Sequence, residues 1–352
     1  MSRVWVKQSF VSHSEVQVLL LPLGDIPVAK FSYYCGVLKQ LNVVRPSQPS
    51  GWSRQSSPLR HFSWDEGSFK FHFIDTDTTD GGLSDWGDYQ AHRRILGVIG
   101  IVHAPSCMGY DFPSLEKELS KSIASCPDAV LTRIWVFEQN WMDMPAMEGY
   151  DNNKTHLYLP EERRDLYWET WRDHLCNVAA EIMTLIESSI KTYESHLGSV
   201  TVRYGVCELL PPLTSPYERE EAVTDSRRSK RRLSRLHKWV ADLCLLCGSP
   251  KDGFEHYKQA LQKLEKDDDL WQAGALEGYA ASLVAMSDPL NPFHTADIFE
   301  EITATGSSRS AGEASTWTTC VMNEVDARCR LALDKLDGSP SLYPLYLELC
   351  FK

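Results

Sequence analysis

RRSKRRLSRLHKWVADLCLLCGSPKDGFEHYKQALQKLEKDDDLWQAGALEGYAASLVAM, residues 227–286, reads as three consecutive helices. In the first, Leu233, Leu236, Val240, Leu243 and Cys247 fall at helical spacing and form one apolar stripe. Gly248-Ser249-Pro250 stops it, because Gly tolerates a left-handed cap and Pro cannot continue the backbone bonding. The second carries Phe254, Tyr257, Leu261 and Leu264 on one face, and Asp267-Asp268-Asp269 breaks it with residues suited to capping the next start. The third sets Trp271, Ala275, Gly278, Ser282 and Met286 on one side and Leu276, Ala280 and Leu283 on another. A helix apolar on two sides has to be covered on two sides, as in the middle layer of a helical stack.

The spacing is that of a tetratricopeptide-like (TPR-like) repeat. Ala241, Gly248, Tyr257 and Ala260 sit at the small and aromatic positions that let paired helices approach, and Ala275 follows Ala241 at a period of ~34 residues. Trp271 then takes the early aromatic position of a second repeat. An ordinary helical hairpin within a globular domain would give the same pattern over so short a run. The solenoid reading predicts a binding surface, since stacked helix pairs rarely build active sites.

Composition bounds the rest. The 352 residues suffice for two domains, and 43% apolar with 11% aromatic residues suffices for a real core. A net charge of −12 argues against general nucleic-acid affinity. No apolar run reaches the ~18 residues of a membrane span, and the stretch from Met1 to Phe10 lacks a secretory pattern. Ten scattered cysteines read as reduced, mostly buried thiols of a cytosolic protein.

Outward toward the N-terminus, apolar strands alternate with helical patterns: Glu15 to Leu23, Ser68 to Thr76, Ile95 to Val102, Leu131 to Phe137, Thr155 to Leu159 and Ser199 to Leu210. Alternation of this kind predicts a mainly parallel sheet with helices on both faces. Asn42 to Gly67, rich in Ser, Pro, Gln and Arg, reads as a surface loop. A long helix over Glu161 to Leu197 outreaches a sheet and is expected to bridge toward the helical part. Strand, Gly24, Ala29, Lys30, Phe31 has the outline of a phosphate loop, but Ala29 stands where Gly opens the backbone and Phe31 where a hydroxyl binds Mg²⁺. Lys30 therefore reads as a solvated residue in a first helical turn. Asp75, Asp77 and Asp80 fail the Ca²⁺-loop order, and Asp88 with His92 lacks a neighbouring nucleophile. The expected division is an α/β domain over 1–210, a linker over 211–225 with prolines and mixed charges, and a TPR-like helical segment over 226–352. No cofactor or metal is expected; Cys244-Leu245-Leu246-Cys247 has no second pair and reads as core. The basic run Arg227, Arg228, Lys230, Arg231, Arg232, Arg235, Lys238 suits an acidic protein or an anionic lipid surface, or is simply a solvated face. Leu345, Leu347, Leu349 and Phe351 leave an apolar terminus, which suggests a piece of something longer.

WGDYQAHRRILGVIGI (Trp86 to Ile101) and RLHKWVADLCLLCGSPKDGFEHYKQAL with DDDLWQAGALEGYAAS (Arg235 to Ser282) resemble the N-terminal portion of the trafficking protein particle complex subunit 9 family, the large subunits specific to TRAPP II. The resemblance implies an α/β domain that is in part GTPase-like without nucleotide motifs, followed by an α-solenoid. It implies a non-catalytic scaffolding subunit of a vesicle-tethering, Rab guanine-nucleotide exchange assembly, cytoplasmic and peripheral at the Golgi. The partners implied are TRAPP core subunits, sedlin among them, the other large TRAPP II subunits and, indirectly, a Rab GTPase, with peripheral membrane contact and no nucleic acid. Partner contact is expected at Trp86, Asp88, Tyr89, His92, Arg93, Arg231, Arg235, Lys238 and Trp271. Two rival readings are a general TPR-like cytosolic adaptor and a nucleotide-binding enzyme resting on Gly24 to Lys30.

Overall fold

A computed structural model describes residues 9–49, 52–53, 55–64, 67–75, 87, 89–107, 112–124, 126–139, 156–160, 164–197, 225–264, 268–287, 317–337 and 343–350. Six strands form one sheet: β1 (Glu15–Pro22), β2 (Val43–Val44), β3 (Phe69–Asp75), β4 (Ile95–His103), β5 (Leu131–Gln139) and β6 (His156–Pro160), in the order β2-β3-β1-β4-β5-β6. All neighbours run parallel except β2 against β3. The mainly parallel sheet expected from the strand–helix alternation is present, together with a helical region beyond it. A strand over Ser199 to Leu210 lies outside the described residues.

Alternation along the strands divides the sheet's two faces. Val16, Val18 and Leu20 of β1, Phe69, Phe71 and Phe73 of β3, and Trp135 and Phe137 of β5 share one core with α1 (Val28–Gln40) and α3 (Arg164–Leu197). Leu19, Leu21, Val98, Ile134 and Val136 point the other way and pack on Leu115 and Leu119 of α2 (Phe112–Ile123). The central strand β4 is buried along nearly its whole length, which is why ILGVIGIV reads as a continuous apolar run.

The helical part follows the sequence pattern closely. α4 (Asp225–Leu246), α5 (Pro250–Lys263) and α6 (Asp269–Met286) pack in succession, and α7 (Trp317–Leu336) lies on α6 with α8 (Tyr343–Cys350) beyond. Gly248, at φ +72°, ends α4. Its N–H bonds to Leu245 O at 2.9 Å and that of Ser249 to Cys244 O at 2.9 Å, the paired closure that a left-handed residue makes possible. Pro250 then opens α5, where its missing N–H costs nothing.

Three local expectations need correction. The stretch 42–67 is no surface loop where it is described: it adds β2 to the sheet edge and buries Leu59, Phe62 and Trp64 in the core shared with α4. Its polar composition hides three apolar anchors, and Asp252 of α5 pins it by accepting from His61 N at 3.0 Å and from His61 Nδ1 at 2.7 Å. Asp268 makes no side-chain cap on α6, because its carboxylate is held by Arg235. Lys30 is not simply solvated, since its Nζ pairs with Glu138 at 2.6 Å. The long helix α3 does reach the helical part: its Ile182, Ile186 and Ile190 share a core with Trp239 and Leu243 of α4.

Candidate functional site at the seam of sheet and helices

The segment Tyr89–Arg94 leads into β4 and lies along α4 and α6. A short 3-10 helix at Ala91–Arg93 exposes the backbone N–H of Ala91, which donates to Asp242 Oδ2 at 3.1 Å. Asp242 sits in the middle of the apolar run of α4, one turn after Lys238. The two pair at 2.7 Å with both side chains almost wholly buried. Tyr257 of α5 donates its hydroxyl to Asp242 Oδ1 at 2.6 Å, and Lys238 also donates to the Tyr89 carbonyl. Every charged atom here has a partner, which is the condition for a buried ion pair to be tolerated.

Two further knots flank it. Arg235 grips Asp268 with two parallel bonds of 3.0 and 2.8 Å, and its guanidinium lies 5.1 Å from the centre of the Trp271 ring. On the other side Glu277 of α6 accepts from Gln90 Nε2 at 2.8 Å and meets His13 Nε2 at 3.0 Å. His13 belongs to a short 3-10 helix at Phe10–Ser14, and its ring lies 3.9 Å from that of His92. Arg93 donates to Gln90 Oε1, while Arg94 reaches Asp128 at 3.0 Å and lies over Trp239 at 4.6 Å.

Small residues of α6 make this closeness possible. A Cβ on Gly274 would meet the Tyr89 hydroxyl at 2.3 Å, and one on Gly278 would meet the Tyr257 ring at 2.2 Å. The tyrosines therefore lie against the bare backbone of α6, one turn apart on the same face. Tyr89 donates its hydroxyl to Leu270 O. Burial above all, then the charges of Glu277 and Asp242, pushes the Tyr89 phenol well above its ordinary range. Burial, with Asp242 next, does the same to Tyr257. Both are fixed neutral donors.

The structure thus gathers six of the nine residues singled out by sequence into one seam. Tyr89, His92, Arg93, Arg235, Lys238 and Trp271 are all buried there. The contacts of these six that the structure describes lie within the chain. Arg231 is half-buried on α4, and Trp86 and Asp88 lie outside the described residues. Sequence reasoning missed the acids that complete the joint. A signal existed: Asp242 interrupts an apolar stripe four residues after Lys238, and Glu277 stands alone in ALEGYAA. An acid at a stripe position of a buried helix requires a partner from elsewhere.

Two other polar clusters lie outside the seam. Cys244 and Cys247 are buried free thiols, and burial pushes both well above the ordinary thiol range, so they are inert core residues. A cleft lined by Arg60, Glu194, His237, Asp252, His256 and Lys263 separates α3 from α4 and α5. Lys263 Nζ lies 2.6 Å from His237 Nε2, and the two Nδ1 atoms of His237 and His256 are 3.3 Å apart. Burial first, then Lys263 and His256, depresses His237 to about 3. Burial first depresses His256 to about 4, with Asp252 opposing. Both rings are neutral at ordinary pH and serve to bridge helices. Among the described residues no cluster of three or more His, Cys, Asp or Glu side chains is arranged to hold a metal, and no helix is long and apolar enough to cross a membrane.

Comparison with known proteins agrees with the two stretches singled out in the sequence. The chain is 29% identical over 278 residues to the trafficking protein particle complex II-specific subunit 120 homolog of Arabidopsis thaliana, covering 77% of this chain and 22% of that protein. It is 29% identical over 218 residues to trafficking protein particle complex subunit 9 of Bos taurus, covering 58% of this chain and 17% of that protein. Transport protein particle subunit trs120 of Schizosaccharomyces pombe is 23% identical over 304 residues, 79% of this chain and 24% of that protein. The chain therefore spans only about a fifth of the length of these relatives. A family model described as Trs120/TRAPPC9, N-terminal domain, matches residues 7–203 and 201–293, which takes in the sheet, the seam and helices α4 to α6. The chain belongs to the Trs120/TRAPPC9 family, matching its N-terminal domain.

Proposed function

We propose that this chain is the N-terminal platform of a non-catalytic scaffolding subunit of the TRAPP II assembly, which tethers vesicles and promotes nucleotide exchange on Rab-type GTPases in Golgi traffic. The family match over residues 7–293 carries this reading. Its partners would be the small TRAPP core subunits, sedlin among them, and the other large TRAPP II subunits, with a Rab served indirectly and the whole peripheral at the Golgi membrane. The site residues support a structural role: the acid, base and aromatic side chains of the seam are engaged in holding helices to sheet. We assign Tyr89, His92, Arg93, Arg235, Lys238 and Trp271 to keeping the platform's shape and retain Trp86, Asp88 and Arg231 as partner-contact candidates.

The division into an α/β part over 1–210, a linker over 211–225 and a TPR-like part over 226–352 belongs to the same proposal. Supporting the TPR-like reading are the short turns between α4, α5 and α6, the packing of each on the next, and the Gly278–Tyr257 approach. Supporting the GTPase-like reading are a central β1 flanked by β3 and β4, an antiparallel β2 at the edge, and the Gly24 turn leading from β1 into α1. The test is co-elution of the purified chain with recombinant TRAPP core subunits. Association with the sedlin-containing core is expected; its absence overturns the proposal. Recovery of chaperones or unrelated peptide ligands without TRAPP subunits would instead favour a general helical-repeat adaptor, a reading that the stacked helices alone would support.

A further inference from the structure

The carboxyl edge of a parallel sheet, beside the strand-to-helix turn, is where open α/β proteins take up ligands. In this chain that edge holds a compact polar cluster. Lys30 on the first turn of α1 and Tyr34 one turn on both donate to Glu138 Oε1, at 2.6 and 2.7 Å. His103, the last residue of β4, meets Glu138 Oε2 at 3.1 Å, and its Nδ1 lies 2.7 Å from Ser106 Oγ. Tyr34 is fixed by stacking on Phe137 at 4.1 Å and by Trp171 at its edge.

The acid at the centre is held in an unusual way. Glu138 has φ +58°, and among the described residues no other non-glycine residue has a positive φ. It also interrupts the β5–β6 register between Phe137 and Gln139. Left-handed backbone at a non-glycine residue costs on the order of 1 kcal/mol, and so persists where something else fixes it. Three donors converge on the carboxylate of this residue. Burial pushes the Glu138 carboxyl up, but the hydrogen bonds from Lys30, Tyr34 and His103 outweigh it and hold the group below its ordinary value. A second carboxylate acts at the same turn: Gly24 N donates to Glu118 Oε2 of α2 at 3.3 Å. Lys30 Nζ and the Gly24 amide are donors of the kind that a phosphate loop turns toward phosphate. Here each meets a carboxylate of the chain itself.

We propose that Lys30, Tyr34 and His103 form an oxyanion niche at the carboxyl edge of the sheet, that the Glu138 carboxylate is its built-in anion, and that the niche is thereby shut to phosphate-bearing ligands. The niche stands apart from the assembly role proposed above and does not depend on it. Removing the carboxylate leaves three donors around an open place that has lost one negative charge. A free oxyanion then gains both the bonds and the relief of repulsion.

The test uses the whole 352-residue chain, inorganic pyrophosphate as probe, and isothermal titration calorimetry. Glu138→Gly removes the carboxylate and suits the left-handed backbone. Glu138→Asn is the second variant, because Asn tolerates that backbone best after Gly. Expected is affinity for pyrophosphate about tenfold or more above that of the parent chain, and loss of the gain when Lys30→Met is added. The proposal is overturned if folded Gly and Asn variants bind no better than the parent, if the parent binds as tightly, or if the gain survives without Lys30. Unfolding of both variants overturns it too, since a plug drawn from a preformed niche leaves the fold standing.

Discussion

Asp242 is the residue on which the seam converges. It takes one bond from the backbone of the 3-10 segment, one from Lys238 on its own helix and one from Tyr257 on the next. Asp242→Ala would leave a buried ammonium with the Tyr89 carbonyl and the neighbouring aromatic rings but no counter-charge, and orphan a hydroxyl and an amide as well. The expected loss is about 3–5 kcal/mol in urea denaturation, with part regained when Lys238→Met removes the stranded charge. The neighbouring histidines predict a pH effect whose sign follows from their direction. His237 and His256 are held neutral in the fold, at about 3 and about 4, against an ordinary 6.5. Between 6.5 and 4 the unfolded chain binds protons that the folded chain refuses, so stability falls as pH drops through that window and is untouched above it. Urea midpoints measured from pH 7 to 4.5 should fall in the parent chain and fall less in His256→Gln.

At the scale of elements, α6 is the middle layer. It is buried nearly all round because α5 and α7 cover it on two sides and the Tyr89 segment reaches it as well. Its glycines set how closely the tyrosines lie. Gly274→Ala would drive a methyl into the Tyr89 hydroxyl and ring, which the bond to Leu270 O and the cation of Lys238 hold in place. The expected cost is about 1–3 kcal/mol, the usual range for overpacking, read from the shift of the urea midpoint at unchanged slope. A cost near that of an exposed helical Gly→Ala change, which tends to stabilise, would show that the seam gives way there. The apolar stripes of α4 and α5 were legible in the sequence because burial of one face imposes the 3.6 period. The role of the stretch 42–67 was not, because Leu59, Phe62 and Trp64 are spaced by no regular element.

For the whole molecule, the seam makes sheet and helices one mechanical unit among the described residues. One continuous core runs from Val16 of β1 through Ile186 of α3 to Leu243 of α4. Thermal unfolding followed by tryptophan fluorescence and by far-ultraviolet circular dichroism should therefore give coincident single transitions. Two separated transitions would mean that the buried ion pairs contribute too little to couple the parts. A scaffold built this way would transmit a load on its helices to its sheet, which suits the assembly role proposed for it.

Among the described residues the sequence by itself determined the long helices, every strand but β2, and that the sheet is mainly parallel, since periodicity and strand–helix alternation are local consequences of burial. It also showed that the phosphate-loop outline lacks its defining residues. Only the tertiary structure decided where the polar residues go. Whether Arg235 or Lys30 meets water, a partner or an acid far along the chain, as each does in Asp268 and Glu138, depends on which carboxylates the packing brings beside it, and no spacing along the chain records that distance.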